Sequence, residues 1–187
     1  MDNIKIFLAS TFEEFKEEQN ELLNFIYEIG NQFESMYNVS IKPLYMNKMS
    51  QDYTQMLESI KDCELCFFVV FKKSDEKVEK EFSTAYQEFK KNNGSTPKIY
   101  VYFKNVQNDE SVSDSVKSFM GLIDKDLGHY HGTFDHIDTI KLRILLNIKT
   151  QNKMDFLNID IENKDCVING KKVLNLDNVS EFANSGF

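Results

Sequence analysis

The chain has 187 residues, 41% hydrophobic and 28% charged, which suits one compact domain with a modest extension. Its formal charge of −8 argues against a general binder of phosphate backbones, because such proteins are usually basic. No apolar run approaches the roughly 20 residues that cross a bilayer, and the charged start after Met1 is unlike a signal peptide, so a cytoplasmic protein with no direct nucleic-acid or membrane partner is expected.

Ile4 to Ala9 reads as a short strand that Ser10-Thr11 interrupts. Glu14 lies three residues after Thr11, the capping-box spacing for a helix start. That helix is expected to run to about Met36, with Phe15, Leu22, Phe25, Ile26, Ile29 and Phe33 inward. Ser40 to Met46 is the second strand, followed by a polar loop from Asn47 to Gln51 and a short helix through Met56, Leu57 and Ile60.

Leu65 to Phe71 is an unbroken apolar run without alternation, which predicts a strand covered on both faces, as in a parallel sheet between helices. Ser74 or Asp75 then offers a helix cap, and Val78, Phe82, Ala85 and Phe89 form one apolar stripe. Lys98 to Phe103 is a fourth strand, and a helix with Val116, Phe119, Met120 and Ile123 is expected to end near Gly128. Tyr130 to Phe134 is a weak fifth strand, and Ile137 to Ile148 the last helix. This repeated alternation predicts an α/β fold: a doubly wound, flavodoxin-like parallel sheet of order 2-1-3-4-5.

The pattern changes after Thr150. Phe156 to Ile161 and Cys166 to Leu176 read as strands, and Asn169-Gly170 is a two-residue hairpin signal. The expected division is an α/β domain over 1–151 and a β-hairpin extension over 152–187. The extension is expected to act as a connector, so that a chain ended at Gln151 still folds. The whole is expected to be the N-terminal piece of a longer protein.

Seven glycines supply no Gly-rich dinucleotide loop and no Walker A loop, and no G-x-S-x-G elbow occurs. Cys63 and Cys66 have C-x-x-C spacing but straddle a strand entry, where redox chemistry wants a helix N-terminus; they read as buried, reduced thiols. His129, His131 and His136 with Asp135 have a spacing that could hold a metal, but a surface strand explains them more simply. No metal and no resident cofactor is expected.

Glu81 is the remaining candidate. It lies at the boundary of its helix stripe, with Glu79 and Glu88 as comparable flanking positions, and solvated flank is the ordinary state of such a residue. Its place past the carboxyl end of the buried strand, opposite Ser10-Thr11, puts it where open α/β sheets bind ligands. The nearby helix N-terminus offers free N–H groups and a positive dipole end to a phosphate.

Ile6-Phe7-Leu8-Ala9-Ser10-Thr11-Phe12 with Glu13 resembles the opening of TIR-like (Toll/interleukin-receptor-like) domains at the N-terminus of bacterial STAND proteins, which carry NACHT or repeat regions. Glu81-Phe82-Ser83-Thr84-Ala85 is similar to the glutamate-bearing helix shared by enzymatic TIR domains and nucleoside deoxyribosyltransferases, and Ile137 to Arg143 to the last helix of the family. The Trp-Cys pair common before that glutamate in receptor-type members is replaced by Lys77-Val78-Glu79-Lys80. The resemblance implies an NAD nucleosidase of antiviral defence, with NAD as substrate and Glu81 as the catalytic carboxylate. Ser10 and Thr11 would contact phosphate or ribose, while Phe12, Tyr45 and Phe71 would wall the base. It also implies self-association through the loop from Asn47 to Asp52 and control by downstream sensor domains of the same chain. Two alternatives stand beside it: a non-enzymatic adaptor acting by homotypic contact, and a deoxyribosyltransferase-like or nucleosidase activity.

Overall fold

The computed structural model describes residues 2–10, 16–45, 52–105, 112–126, 131–151 and 159–180. Along the chain run β1 (Asp2–Ser10), α1 (Lys16–Tyr37), β2 (Val39–Leu44), α2 (Tyr53–Ile60), β3 (Leu65–Val70) and α3 (Glu76–Lys91). They are followed by β4 (Lys98–Lys104), α4 (Asp114–Gly121), a π-helical turn (Leu122–Asp126), β5 (Gly132–Phe134) and α5 (Ile137–Gln151). Three short strands close the described chain: β6 (Ile159–Glu162), β7 (Asp165–Ile168) and β8 (Lys171–Asn175).

The first five strands form one parallel sheet in the order β2-β1-β3-β4-β5, the order the alternation predicts. β3 is buried at every position, as its unbroken apolar run requires. The strand order reverses between β1 and β3, where Ser10 lies opposite Val69. At that reversal the first crossovers leave for opposite faces and open a crevice at the carboxyl edge.

Strand alternation sorts the side chains into two layers. Phe7 and Ala9 of β1, Cys66, Phe68 and Val70 of β3, and Ile99, Val101 and Phe103 of β4 share one core cluster with α2, α3 and α4. Its aromatic centre is Phe82, whose ring meets Phe68 and Phe119 edge-on at 5.4 Å each. α1 lies outside that cluster and packs on β2 through Gly30, where an added Cβ would sit 3.0 Å from the Ile41 carbonyl oxygen. Gly30→Val is therefore expected to push the helix off the strand and to cost about 2 kcal/mol in urea unfolding. An unchanged midpoint would show that α1 can shift without cost.

The chain divides into two compact units, Met1–Thr133 and Phe134–Phe187. This division falls before α5, whereas the sequence places its boundary at 151. In the second unit α5 packs with β8. The extension contains the expected hairpin, β7-β8, with β6 added beside β7 to make a three-stranded antiparallel meander. Its tight turn is Asn169-Gly170, both with positive φ, as a two-residue hairpin loop needs. Near the start of α5, Asp138 accepts hydrogen bonds from Lys141 Nζ at 2.8 Å and Asn178 Nδ2 at 3.1 Å. Burial alone would raise the Asp138 carboxyl, but these bonds and the charges of Lys141 and His136 outweigh it and hold the group below its usual value.

Candidate active site

α3 begins at the carboxyl end of β3, and Asp75 caps it by accepting a hydrogen bond from Val78 N at 2.9 Å. Ser74, before the cap, is tied back by its N–H to Ser115 Oγ at 3.2 Å and by its hydroxyl to Glu79 Oε1 at 3.0 Å. These bonds fix how the first two turns of α3 enter the crevice. Val78, Glu81, Phe82 and Ala85 are the buried residues of the helix, so Glu81 stands inside the apolar stripe rather than on its flank. Glu79 and Glu88 remain partly exposed, and Glu81 is 5% exposed. Burial separates it from the glutamates that the sequence ranked beside it.

No described residue hydrogen-bonds the Glu81 carboxyl. Burial, reinforced by the Asp75 carboxylate and opposed by Lys77, pushes it up to about 8. Near neutral pH the carboxyl is therefore largely protonated, and a nearby positive charge can ionise it. Such a carboxylic acid contributes little to the fold, and buried groups tuned in this way cluster where chemistry is done.

Tyr53 is the residue that sequence reasoning missed. It opens α2, whose cap is Asp52, accepting from Thr54 N at 2.9 Å. Its ring packs at the margin of the core, its hydroxyl reaches the Lys77 carbonyl at 3.5 Å, and Lys80 Nζ lies 5.3 Å from its ring centre. Burial and the charges of Glu81 and Asp75 push the Tyr53 hydroxyl up to about 12. A signal was present, because Tyr53, Met56, Leu57 and Ile60 share helical spacing. Tyr53 stands at the N-terminal end of that stripe, hence at the carboxyl edge of the sheet.

The other candidates sit elsewhere around the crevice. Ser10 pairs in register with Val69, so alternation turns its side chain to the face opposite α3; its buried Oγ finds no hydrogen-bond partner among the described residues. Tyr45 follows β2 and meets Tyr27 of α1 through a side-chain hydrogen bond, and buried Phe71 follows β3 outside the α2–α3–α4 cluster. Ser10 and Phe71 thus lie outside the α2–α3–α4 cluster and Tyr45 meets α1, while Glu81 and Tyr53 belong to the α2–α3 layer. A ligand touching both sets must lie across the carboxyl edge. Thr11, Phe12 and the loop from Asn47 to Gln51 lie outside the described residues.

No known family model matches this chain, and no curated protein matches it in sequence. The histidines and cysteines with metal-like or redox-like spacing have other surroundings. His131 Nε2 lies 3.0 Å from Asp124 Oδ2, and His136 Nδ1 lies 3.0 Å from Asp138 Oδ2. His129 lies outside the described residues, and among those described no three His, Cys, Asp or Glu side chains are grouped to hold a metal ion. Cys63 and Cys66 are buried free thiols, and burial, with Cys63 and Glu64 adding to it, pushes Cys66 well above its ordinary value. No described helix is long and apolar enough to cross a membrane.

Proposed function

We propose that this chain is a cytoplasmic TIR-like effector domain that cleaves the nicotinamide–ribose bond of NAD in defence signalling, gated by contact between copies. The observation that carries this reading is Glu81: a carboxyl buried in the stripe of α3 at the carboxyl edge, with no hydrogen-bond partner among the described residues. Departure of nicotinamide breaks the bond between the ribose anomeric carbon and the pyridinium nitrogen. The bonding pair leaves with the ring, which becomes neutral, and positive charge develops on the ribosyl group. A carboxylate fixed beside that carbon and shielded from water stabilises the developing charge. Water then adds to the anomeric carbon, and its proton passes to Glu81 or to solvent.

The proton on the resting carboxyl fits this scheme. NAD carries a positive pyridinium, and opposite charge favours the ionised acid, so binding of the substrate releases the proton that burial holds in place. Below about pH 8, Glu81 is then charged mainly when a cation is present to use it.

The test is release of nicotinamide from NAD by the purified chain over a range of protein concentrations. Turnover is expected, with specific activity rising more than proportionally with concentration if copies must meet. Release of base from a nucleoside, with none from NAD, would replace this reading by a nucleosidase or transferase. No release from either, with self-association intact, would replace it by an adaptor.

A further inference from the structure

The first two turns of α3 and the start of α2 bring together three features that the scheme above does not use jointly. Glu81 is a buried carboxyl without a described hydrogen-bond partner. Tyr53 presents an aromatic ring at the margin of the core, beside the same turns of α3. Lys80, one residue before Glu81, places its ammonium 5.3 Å from the centre of that ring.

We propose that Tyr53 and Glu81 form a subsite for a positively charged group of the ligand, and that Lys80 occupies the Tyr53 ring face until the ligand displaces it. The inference rests on the proposed NAD reading only for which cation is bound. The physical case is independent of cleavage. An aromatic face attracts a cation most when water is excluded, and a buried carboxylate supplies the full counter-charge. An exposed lysine reaches the ring on a flexible stem and leaves it at small cost, since its ammonium is well hydrated outside. A flat cation such as an N-alkylpyridinium gains both partners together. A neutral ring of the same shape gains neither the carboxylate nor the full attraction of the ring.

The residues around this subsite agree with that preference. Asp75 adds negative charge, which both Glu81 and Tyr53 feel, whereas Lys77 acts in the opposite sense on Glu81. Tyr53 thereby becomes a specificity residue that selects the charged end of a dinucleotide for the Glu81 side of the crevice.

The test uses two small probes that cannot be cleaved: 1-methylnicotinamide, a cation, and nicotinamide, its neutral counterpart. Each is titrated into the full chain by calorimetry at pH 7.5. The cation is expected to bind about tenfold more tightly than the neutral ring. Glu81→Gln should remove that preference, and Tyr53→Phe should keep it within about threefold, because the ring face remains. Lys80→Met should tighten cation binding, and this gain should vanish when Tyr53→Leu is added. Equal affinity for the two probes, or a Lys80→Met gain that survives Tyr53→Leu, would overturn the proposal. Cation selectivity without NAD turnover would leave the subsite standing and remove the cleavage reading. Turnover that depends on Glu81 without cation selectivity would do the reverse.

Discussion

Glu81→Gln is expected to make the protein more stable at pH 9 while slowing its activity on NAD by a factor on the order of 10³. A carboxyl raised by burial from its ordinary value near 4.5 to about 8 keeps its proton in the folded state over that interval and loses it in the unfolded chain. The folded protein then binds more protons, so stability falls as pH rises from about 4.5 to about 8 and the full cost stands above that. The cost is on the order of 5 kcal/mol at pH 9 and vanishes near pH 4. Glutamine matches the protonated acid in shape and never ionises, so its variant escapes the loss. Urea unfolding at pH 4.5 and pH 9 should give similar midpoints for both proteins at the lower pH and a higher midpoint for the variant at the upper. Parallel pH dependence in the two proteins would mean that Glu81 is not the group that titrates. A residue that weakens its own fold at working pH is easier to understand as part of a site than as part of a core.

Ending the chain at Gln151 is expected to abolish cooperative folding of the second unit. Cys166, Ile168, Leu174, Leu176 and Val179 are all buried, and losing five such side chains removes roughly 10 kcal/mol of apolar burial, comparable to the whole net stability of a domain. The cut also takes away Asn178, a side-chain donor to Asp138, and the strand on which α5 packs. The truncated chain should aggregate or lose near-ultraviolet circular dichroism. A soluble product with a sharp thermal transition would restore the connector role that the sequence alone predicts for this segment.

Much of the fold was legible because its signals are local. The unbroken run of β3, the stripe of α3 and the Asn169-Gly170 turn each name their element, and strand–helix alternation leaves few topologies open. The grouping of α5 with the C-terminal strands was not legible, because it depends on packing between segments far apart in sequence. The site divided in the same way. Glu81 could be placed at the carboxyl edge from its position alone, but its burial could not, since helical spacing left it on the border of the stripe. Ser10, Tyr45 and Phe71 were grouped with it by nearness to strand ends. Ser10 and Phe71 lie outside the cluster that α3 covers and Tyr45 meets α1, which a list of strand termini does not reveal. Tyr53 was hidden because α2 is short and its first residue reads equally well as loop.

The central claim is that the ionised Glu81 carboxylate stabilises charge on the ribosyl group as nicotinamide leaves. Initial rates of nicotinamide release, measured from pH 6 to pH 9.5 for the wild-type protein and Glu81→Gln side by side, test it most directly. For the wild-type protein kcat/KM is expected to rise about tenfold per pH unit below about 8 and level off above it, following ionisation of the free site. The pH midpoint of kcat should lie lower, because the bound pyridinium favours the carboxylate. Glu81→Gln should be slower by a factor on the order of 10³, with a flat profile. A variant that releases nicotinamide at the wild-type rate, with the same pH dependence, would contradict the account.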